Sequence, residues 1–313
     1  MAEYVVTGGQ GFIGKNLTQR LVEMGLDVCS TYSYTFPSEP DSRHLKHFKL
    51  NVTQFDDCLK LINQENPKVI FHLVAQPVVT AAMRHPFSTM ELTVRGSYNL
   101  FEAIRQSGKP VAVMCISSDK VYGENMSAKE SDPLNGTDHP YNAAKICEDV
   151  IAQSYAKSFG LPIGIVRSAN IYGRGDLHWD RLVPSVCKDI LTGTQPTLRS
   201  NGQMMRDYIF IDDILDAYIK VVECIVHNEL PYGTPINFGS DECYTPSEIT
   251  DLLLRIAGSS YSSPIIQNGA RDEIPHQHID YSFAKQKLGW TPKTNIQNGL
   301  EQSYQWYKEY FSS

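Results

Sequence analysis

The chain has 313 residues, a net charge of −7, 42% apolar and 20% charged side chains; that is enough sequence to bury a substantial core in one large and one smaller domain. The acidic balance argues against a protein that tracks nucleic-acid phosphates, while leaving room for a local basic site that takes a small anion. No apolar stretch approaches the roughly 20 residues of a membrane span, and the sequence runs from Glu3 straight into a strand pattern without a signal-peptide layout, so a cytoplasmic protein is expected.

The first predicted strand, over 4 to 7, ends at Thr7, and Gly8, Gly11 and Gly14 follow at G-x-x-G-x-x-G spacing into a helix over 12 to 24. A pyrophosphate has to approach the backbone N–H groups at the start of such a helix, and a Cβ on these residues would obstruct either the turn or the helix–strand contact. The pattern predicts a dinucleotide site. A second strand over 27 to 31 leads into Ser30, Thr31, Tyr32 and Ser33, where hydroxyls stand in place of the carboxylate that binds an adenosine ribose and repels a 2′-phosphate. With Arg43 and Lys46 nearby, that absence tilts the expectation from NAD toward NADP. After a third strand over 47 to 50, Asn51 is placed either to touch an adenine edge or to make an ordinary turn.

A helix over 54 to 65, a strand over 69 to 73 and a helix over 88 to 107 continue the alternation. The next strand, over 111 to 116, is apolar throughout yet stops in Ser117, Ser118, Asp119 and Lys120. Twenty-three residues beyond Ser118, Tyr141 and Lys145 stand four apart near the start of a helix over 141 to 159, on one face. A tyrosine of ordinary pKa, near 10, is about a thousandth ionised at neutral pH, so its use as a base needs several kcal/mol of help from a neighbouring cation. Lys145 is that neighbour, and Ser118 at the carboxyl end of its strand can hydrogen-bond the same reacting oxygen. A strand over 162 to 166 closes the series. Strands alternating with helices of this length predict right-handed βαβ units: an α/β fold with a doubly wound parallel sheet.

From about residue 170 the alternation gives way to glycine and proline punctuation, with single helices over 211 to 227, 246 to 257 and 297 to 310. The expected domains are therefore 1–169, dinucleotide-binding, and 170–313, a smaller α/β substrate domain, with some exchange of strands and helices between them. The seven cysteines lie far apart in odd number without a C-x-x-C pair, which suggests neither a zinc knuckle nor a disulfide framework. His276, His278 and Asp280 lack a third ligand at helical spacing, and no metal is expected.

Over nearly its whole length the sequence resembles the extended short-chain dehydrogenase/reductase family, through "TGGQGFIG", "VIFHLVAQP", "ISSDKVYGE", "YNAAK", "VRSANIYGRGD", "MRDYIFIDDILDAY", "INFGS" and "KLGWTPKTNIQNGLEQSYQWY". The resemblance implies a Rossmann domain that binds NAD or NADP and a C-terminal domain that binds a nucleoside-diphosphate sugar. It also implies a homodimer built on the helices over 88 to 107 and 141 to 159. On the cofactor side it adds Phe12, Ile13, Thr31, Val52, Leu73 and Ala75 to the glycines, Asn51, Tyr141 and Lys145. On the substrate side it points to Gln76, Asn170, Arg181, Arg206 and Arg271, the arginines as bidentate partners for phosphate oxygens.

Within that family, Asp119–Lys120 resembles the pair in nucleotide-sugar 4,6-dehydratases, the CDP-glucose type in particular, whereas "MMRDYIFIDD" is similar to the wider epimerase pattern. The implied reaction oxidises carbon 4 of the sugar with Tyr141 as base and Ser118 holding the oxygen. It then eliminates water across carbons 5 and 6, with Asp119 as acid and Lys120 as base, and returns the hydride to carbon 6. The alternatives are a C4 epimerase and a keto-sugar reductase.

Overall fold

The computed structural model of the protein describes residues 2–34, 37, 40–269 and 274–312. It divides into two compact units: Met1–Val121, Gly136–Arg167 and Leu215–Ile236 form the first, and Tyr122–Asn135, Ser168–Ile214 and Asn237–Ser313 the second. Among the described residues no helix is long and apolar enough to cross a membrane.

The first unit is built on a sheet in the spatial order Pro235–Phe238, Ile163–Ser168, Ala112–Ile116, Val69–His72, Tyr4–Thr7, Val28–Tyr32, Leu45–Lys49. From Ile163–Ser168 to Leu45–Lys49 each neighbouring pair is parallel. Strands buried on both faces explain the unbroken apolar runs: all residues of Val69–His72 and Ala112–Ile116 are buried. Sequence order reverses direction between Tyr4–Thr7 and Val69–His72, which makes their carboxyl ends the topological switch point where doubly wound sheets hold ligands.

Helices Phe12–Glu23, Phe55–Glu65, Gly96–Ser107 and Pro140–Phe159 supply the connections. Leu61, Ile62, Leu100, Phe101 and Ile104 pack with Val5, Ile70 and Val113 in one apolar core. The predicted helix over 88 to 107 is not uniform. An α-helical turn Pro86–Met90 passes into a π-helical turn Glu91–Arg95 before the α-helix Gly96–Ser107 begins. Gly96 lies so close to the loop after Leu45–Lys49 that a Cβ there would come within 2.8 Å of Val52 Cγ2.

The second unit carries a sheet in the order Cys243–Tyr244, Met205–Phe210, His276–Ile279, Asn125–Ala128, and Asn170–Tyr172 pairs with Met205–Phe210. These strands are two to six residues long, too short for the hydrophobic period of two to register over the glycines and prolines between them. Its helices are marked better. Thr245 and Glu248 form a reciprocal capping box at the start of Pro246–Ala257, and Gly258 ends that helix in the left-handed conformation.

Candidate active site

At the switch point, Thr7 closes the first strand and Gly8 turns with φ +68°, so close to the neighbouring strand end that its Cβ would meet Leu73 backbone atoms at 3.3 Å. Gly8 N–H donates to Thr31 Oγ1 at 3.2 Å and Gly9 N–H to the Thr31 carbonyl at 3.1 Å, tying the loop to the second strand. Gly14 packs on the loop itself, since a Cβ there would lie 2.2 Å from the Gly8 carbonyl oxygen. Gly11 is the N-cap of Phe12–Glu23 and no side chain caps that end. The first N–H groups of the helix, those of Phe12 and Ile13 among them, are thus left without a side-chain acceptor, and a Cβ on Gly11 would have only Gly8 O nearby, at 3.3 Å. A cradle of backbone donors, kept open by a missing Cβ and at the positive end of a helix, fits a pyrophosphate.

Around that loop the other expected cofactor residues take varied places. Val52 is a core residue, 3% exposed, whose carbonyl accepts from Asn99 Nδ2 at 3.0 Å. Asn51 is exposed and its Oδ1 accepts from Thr53 N–H at 3.2 Å and Thr53 Oγ1 at 2.8 Å, so it makes the local turn. Leu73 N–H donates to Thr7 Oγ1 at 3.2 Å, while Ala75 and Gln76 are half-buried in the following loop, Gln76 Oε1 accepting from Val78 N–H. Lys46 is ion-paired with Glu65, and Arg43 is exposed.

The polar ending of Ala112–Ile116 forms a compact cluster. Ser118 and Asp119 are buried, and the chain from Asp119 to Tyr122 makes a 3₁₀ turn. Ser118 donates its hydroxyl to Asp119 Oδ1 at 2.9 Å and accepts Lys120 N–H at 3.2 Å; Lys120 Nζ is 3.8 Å from Asp119 Oδ1. Among the described residues Asp119 Oδ2 is buried without a hydrogen-bond partner, an uncommon state for a carboxylate oxygen and one that a ligand hydroxyl would relieve. Facing this cluster, His139 caps the next helix by accepting Tyr141 N–H on Nδ1 at 3.1 Å. Burial, more than the nearby Lys120, lowers its pKa against the pull of Asp138.

Tyr141 is half-buried one turn before Lys145, which is buried. Lys145 Nζ donates to the Ile116 carbonyl at 2.7 Å, which anchors the helix to the strand that ends in Ser118. It also donates to Glu148 Oε2 at 2.7 Å. Burial pushes the ammonium toward losing its proton, but Glu148 and then Tyr141 more than offset it, and the pKa of Lys145 ends above its ordinary value. A second buried pair fixes the same helix: Arg167, on Ile163–Ser168, holds Asp149 bidentately at 2.8 and 2.9 Å.

No motif in the sequence marks Glu148 or His72 for a role. The signal for Glu148 is its i,i+3 spacing from Lys145, which puts an acid on the face of a lysine already suspected; His72, one residue before Leu73, offers only a histidine inside an apolar strand.

In the second unit, Asn170 and Arg206 sit on adjacent strands, where Tyr208 is in register with Asn170. Asn170 Nδ2 donates to the Asp207 carbonyl at 3.1 Å, and Arg206 Nη1 to the Met205 carbonyl at 2.8 Å. Arg181 is 3.3 Å from the buried Asp176 carboxylate, which places it in an ion pair within this unit. Arg271 lies outside the described residues.

Known proteins are similar to this chain in sequence and fold over nearly its whole length. The family model described as "NAD dependent epimerase/dehydratase family" matches residues 4–232. The chain is 27% identical to a CDP-glucose 4,6-dehydratase from Salmonella typhimurium, covering 97% of this chain and 89% of that one. It is 26% identical to a UDP-glucose 4-epimerase from Mycolicibacterium smegmatis, covering 97% and 98%. Among solved structures, the UDP-glucose 4-epimerase of Thermotoga maritima with UDP-glucose superposes with a TM-score of 0.89 at 25% identity, over 98% of this chain and 99% of that one. A dTDP-glucose 4,6-dehydratase from Streptomyces venezuelae shares the fold, with a TM-score of 0.88 at 24% identity over 98% and 97%. With a glycine cradle at the switch point and a match running from the first strand to Tyr232, the chain belongs to the NAD dependent epimerase/dehydratase family.

Proposed function

We propose that the protein is a nucleotide-sugar 4,6-dehydratase, which converts a nucleoside-diphosphate hexose to its 4-keto-6-deoxy form. The observation that carries this reading is the cluster of buried Ser118 and Asp119 with half-buried Lys120 at a strand's carboxyl end, one carboxylate oxygen of Asp119 being unsatisfied among the described residues. Oxidation at carbon 4 needs a hydroxyl, a base and a cation; elimination of a neighbouring hydroxyl needs a further acid and base. An epimerase or reductase has no use for that second pair.

A nicotinamide dinucleotide held at the glycine cradle supplies the hydride acceptor and donor. Gly8, Gly11, Phe12, Ile13 and Gly14 offer its pyrophosphate their backbone, and Lys145 lies at the foot of the site. The pairing of Lys46 with Glu65 removes one of the two cations that would have favoured a 2′-phosphate, and the reading taken is NAD. Tyr141 takes the proton of the 4-hydroxyl, beside the positive charge of Lys145, and Ser118 turns its hydroxyl from Asp119 to the sugar oxygen. Asp119 hands a proton to the departing 6-hydroxyl while Lys120 removes the proton on carbon 5, which the new ketone has acidified. Arg206 and Asn170 are the described candidates for the diphosphate side. The expected homodimer, on the helices over 88 to 107 and 141 to 159, would cover Val150, an apolar side chain that is 51% exposed.

Incubation with CDP-, UDP-, dTDP- and GDP-glucose tests the proposal, because a 4-keto-6-deoxy product absorbs in alkali and an epimer does not. Asp119→Asn and Lys120→Met should block product but spare the first oxidation, so nicotinamide absorbance at 340 nm (roughly the reduced form's maximum) should rise and stay. Normal product formation by both variants would make the pair structural and favour the epimerase reading.

A further inference from the structure

Behind Lys145 runs a buried chain of polar groups with no place in the reaction just described. Glu148, 1% exposed, accepts Lys145 Nζ on Oε2 at 2.7 Å, and its Oε1 is 2.8 Å from Ser97 Oγ. Ser97 is in turn 3.0 Å from His72 Nε2, and His72 Nδ1 is 2.8 Å from Thr7 Oγ1. Leu73 N–H donates to Thr7 Oγ1 at 3.2 Å.

One direction of the chain satisfies all of these partners. Burial, helped by the Lys145 charge, lowers the pKa of His72 to about 3, so the ring is neutral and has one N–H. Thr7 can donate to Nδ1, which leaves Nε2–H to donate to Ser97 Oγ; Ser97 can then donate to Glu148, with the Thr93 carbonyl at 2.6 Å as its competing acceptor. In that tautomer, with the Phe71 carbonyl at 3.4 Å as the competing acceptor for Thr7, the groups Leu73, Thr7, His72 and Ser97 form one relay ending at the Glu148 carboxylate, and Lys145 reaches it from the other side. Burial raises the pKa of Glu148 above its ordinary value, and Lys145 on one oxygen and Ser97 on the other oppose that rise by stabilising the carboxylate. Lys145 spends one N–H on Glu148 and one on the Ile116 carbonyl, leaving one of three for the Tyr141 side.

We propose that Glu148 is the positioning residue of this site: its buried carboxylate holds Lys145 charged and in place against Ile116, and Ser97 and His72 connect that pair to Thr7 at the root of the glycine loop. The inference rests on the reading of Lys145 as the partner of Tyr141. The other titratable groups around Lys145 cannot take the part. Asp149 is engaged by Arg167, Cys115 is a thiol whose pKa burial pushes well above its ordinary value, and His72 is neutral. Removing the Glu148 charge leaves an ammonium whose burial is no longer compensated, and a buried, unpaired lysine gives up its proton.

The test is an NMR pH titration of the full chain labelled with [¹³Cε]lysine, the Lys145 resonance being assigned by its loss in Lys145→Met. In the wild type that resonance should not titrate below about pH 10, whereas in Glu148→Gln it should inflect about two pH units below the wild-type midpoint. Glu148→Asp keeps the charge one methylene short and should fall between them. If Glu148→Gln does not fold, Glu148→Asp decides alone: inflection below about pH 10 supports the proposal and an unmoved resonance overturns it. On whichever nucleotide sugar is turned over, the alkaline limb of the rate profile should move with the NMR midpoint. The titration needs no substrate, so the two readings fail separately: turnover by Tyr141→Phe at the wild-type rate would sink the assignment of the site, and an unmoved Lys145 resonance would sink only the role of Glu148.

Discussion

Gly14→Ala and Gly11→Ala add the same methyl group three residues apart and should damage different properties. At Gly14 the new Cβ would stand 2.2 Å from the Gly8 carbonyl oxygen, 2.8 Å from Gly9 Cα and 2.9 Å from Gly8 C. All three are backbone atoms of the tightly tethered loop, so no side chain can swing aside, and the oxygen alone has to move about 0.8 Å to reach the 3.0 Å floor of real contacts. Overpacking of this kind costs about 1–3 kcal/mol, and the top of that range applies because backbone must shift. Alanine returns about 1 kcal/mol through its better helix propensity. The net loss is about 2 kcal/mol, equivalent to about 4–8 °C in Tm for a domain of this size. At Gly11 the backbone is extended, with φ −77° and ψ 172°, and the new Cβ would meet only Gly8 O at 3.3 Å. The cofactor-free protein should therefore keep its stability to within about 1 kcal/mol, while NAD affinity falls at least about tenfold because the methyl occupies the pyrophosphate cradle. Thermal unfolding without cofactor, followed by calorimetric titration with NAD, separates the two effects. A cofactor-free Gly14→Ala protein that melts at or above the wild-type temperature would refute the packing argument, and wild-type NAD affinity in Gly11→Ala would refute the cradle.

Arg167→Leu should destabilise the protein by about 3–5 kcal/mol, because it leaves the fully buried Asp149 carboxylate without its bidentate partner; the double variant Asp149→Leu/Arg167→Leu should recover much of that loss in urea unfolding, and no recovery would mean the pair acts through packing alone. His72 predicts a pH dependence of stability. Its pKa falls from about 6.5 in the unfolded chain to about 3 in the folded one, so the unfolded state binds the extra proton between those values. Its stabilising contribution is complete above pH 6.5 and is lost as pH falls toward 3. The wild type should lose about 1 kcal/mol more than His72→Gln between pH 7 and 5.5, and equal losses by the two proteins would show that the ring is not held neutral.

What the sequence reveals follows physical range. The strand Tyr4–Thr7 and the glycine loop are legible because sheet order, turn and helix start all lie within about ten residues, and the fully apolar Ala112–Ile116 announces a strand covered on both faces. Tyr141 and Lys145 are legible because one helical turn separates them. Glu148 escaped notice although it is nearer to Lys145 than Tyr141 is, since its meaning depends on Ser97 and His72, 51 and 76 positions away in the chain. The hydroxyl-rich end of Val28–Tyr32 speaks to cofactor choice only through what its neighbours do, and Lys46 turns out to be occupied by Glu65. In the second unit, strands of two to six residues pair across long separations, and neither period nor turn chemistry marks such pairings in advance.

The π turn Glu91–Arg95 carries a consequence for insertions and deletions. A π turn accommodates one residue more than the α-helix around it would, so removing a single residue from this stretch would let the segment rewind as a continuous α-helix. The turns on either side, with Phe87 before it and Ser97 after it, would then keep nearly their present facing, because the π turn already holds the extra residue within one turn. Loss of one codon should therefore be tolerated here, whereas the same loss within Gly96–Ser107 would turn everything before it on that helix by about 100°.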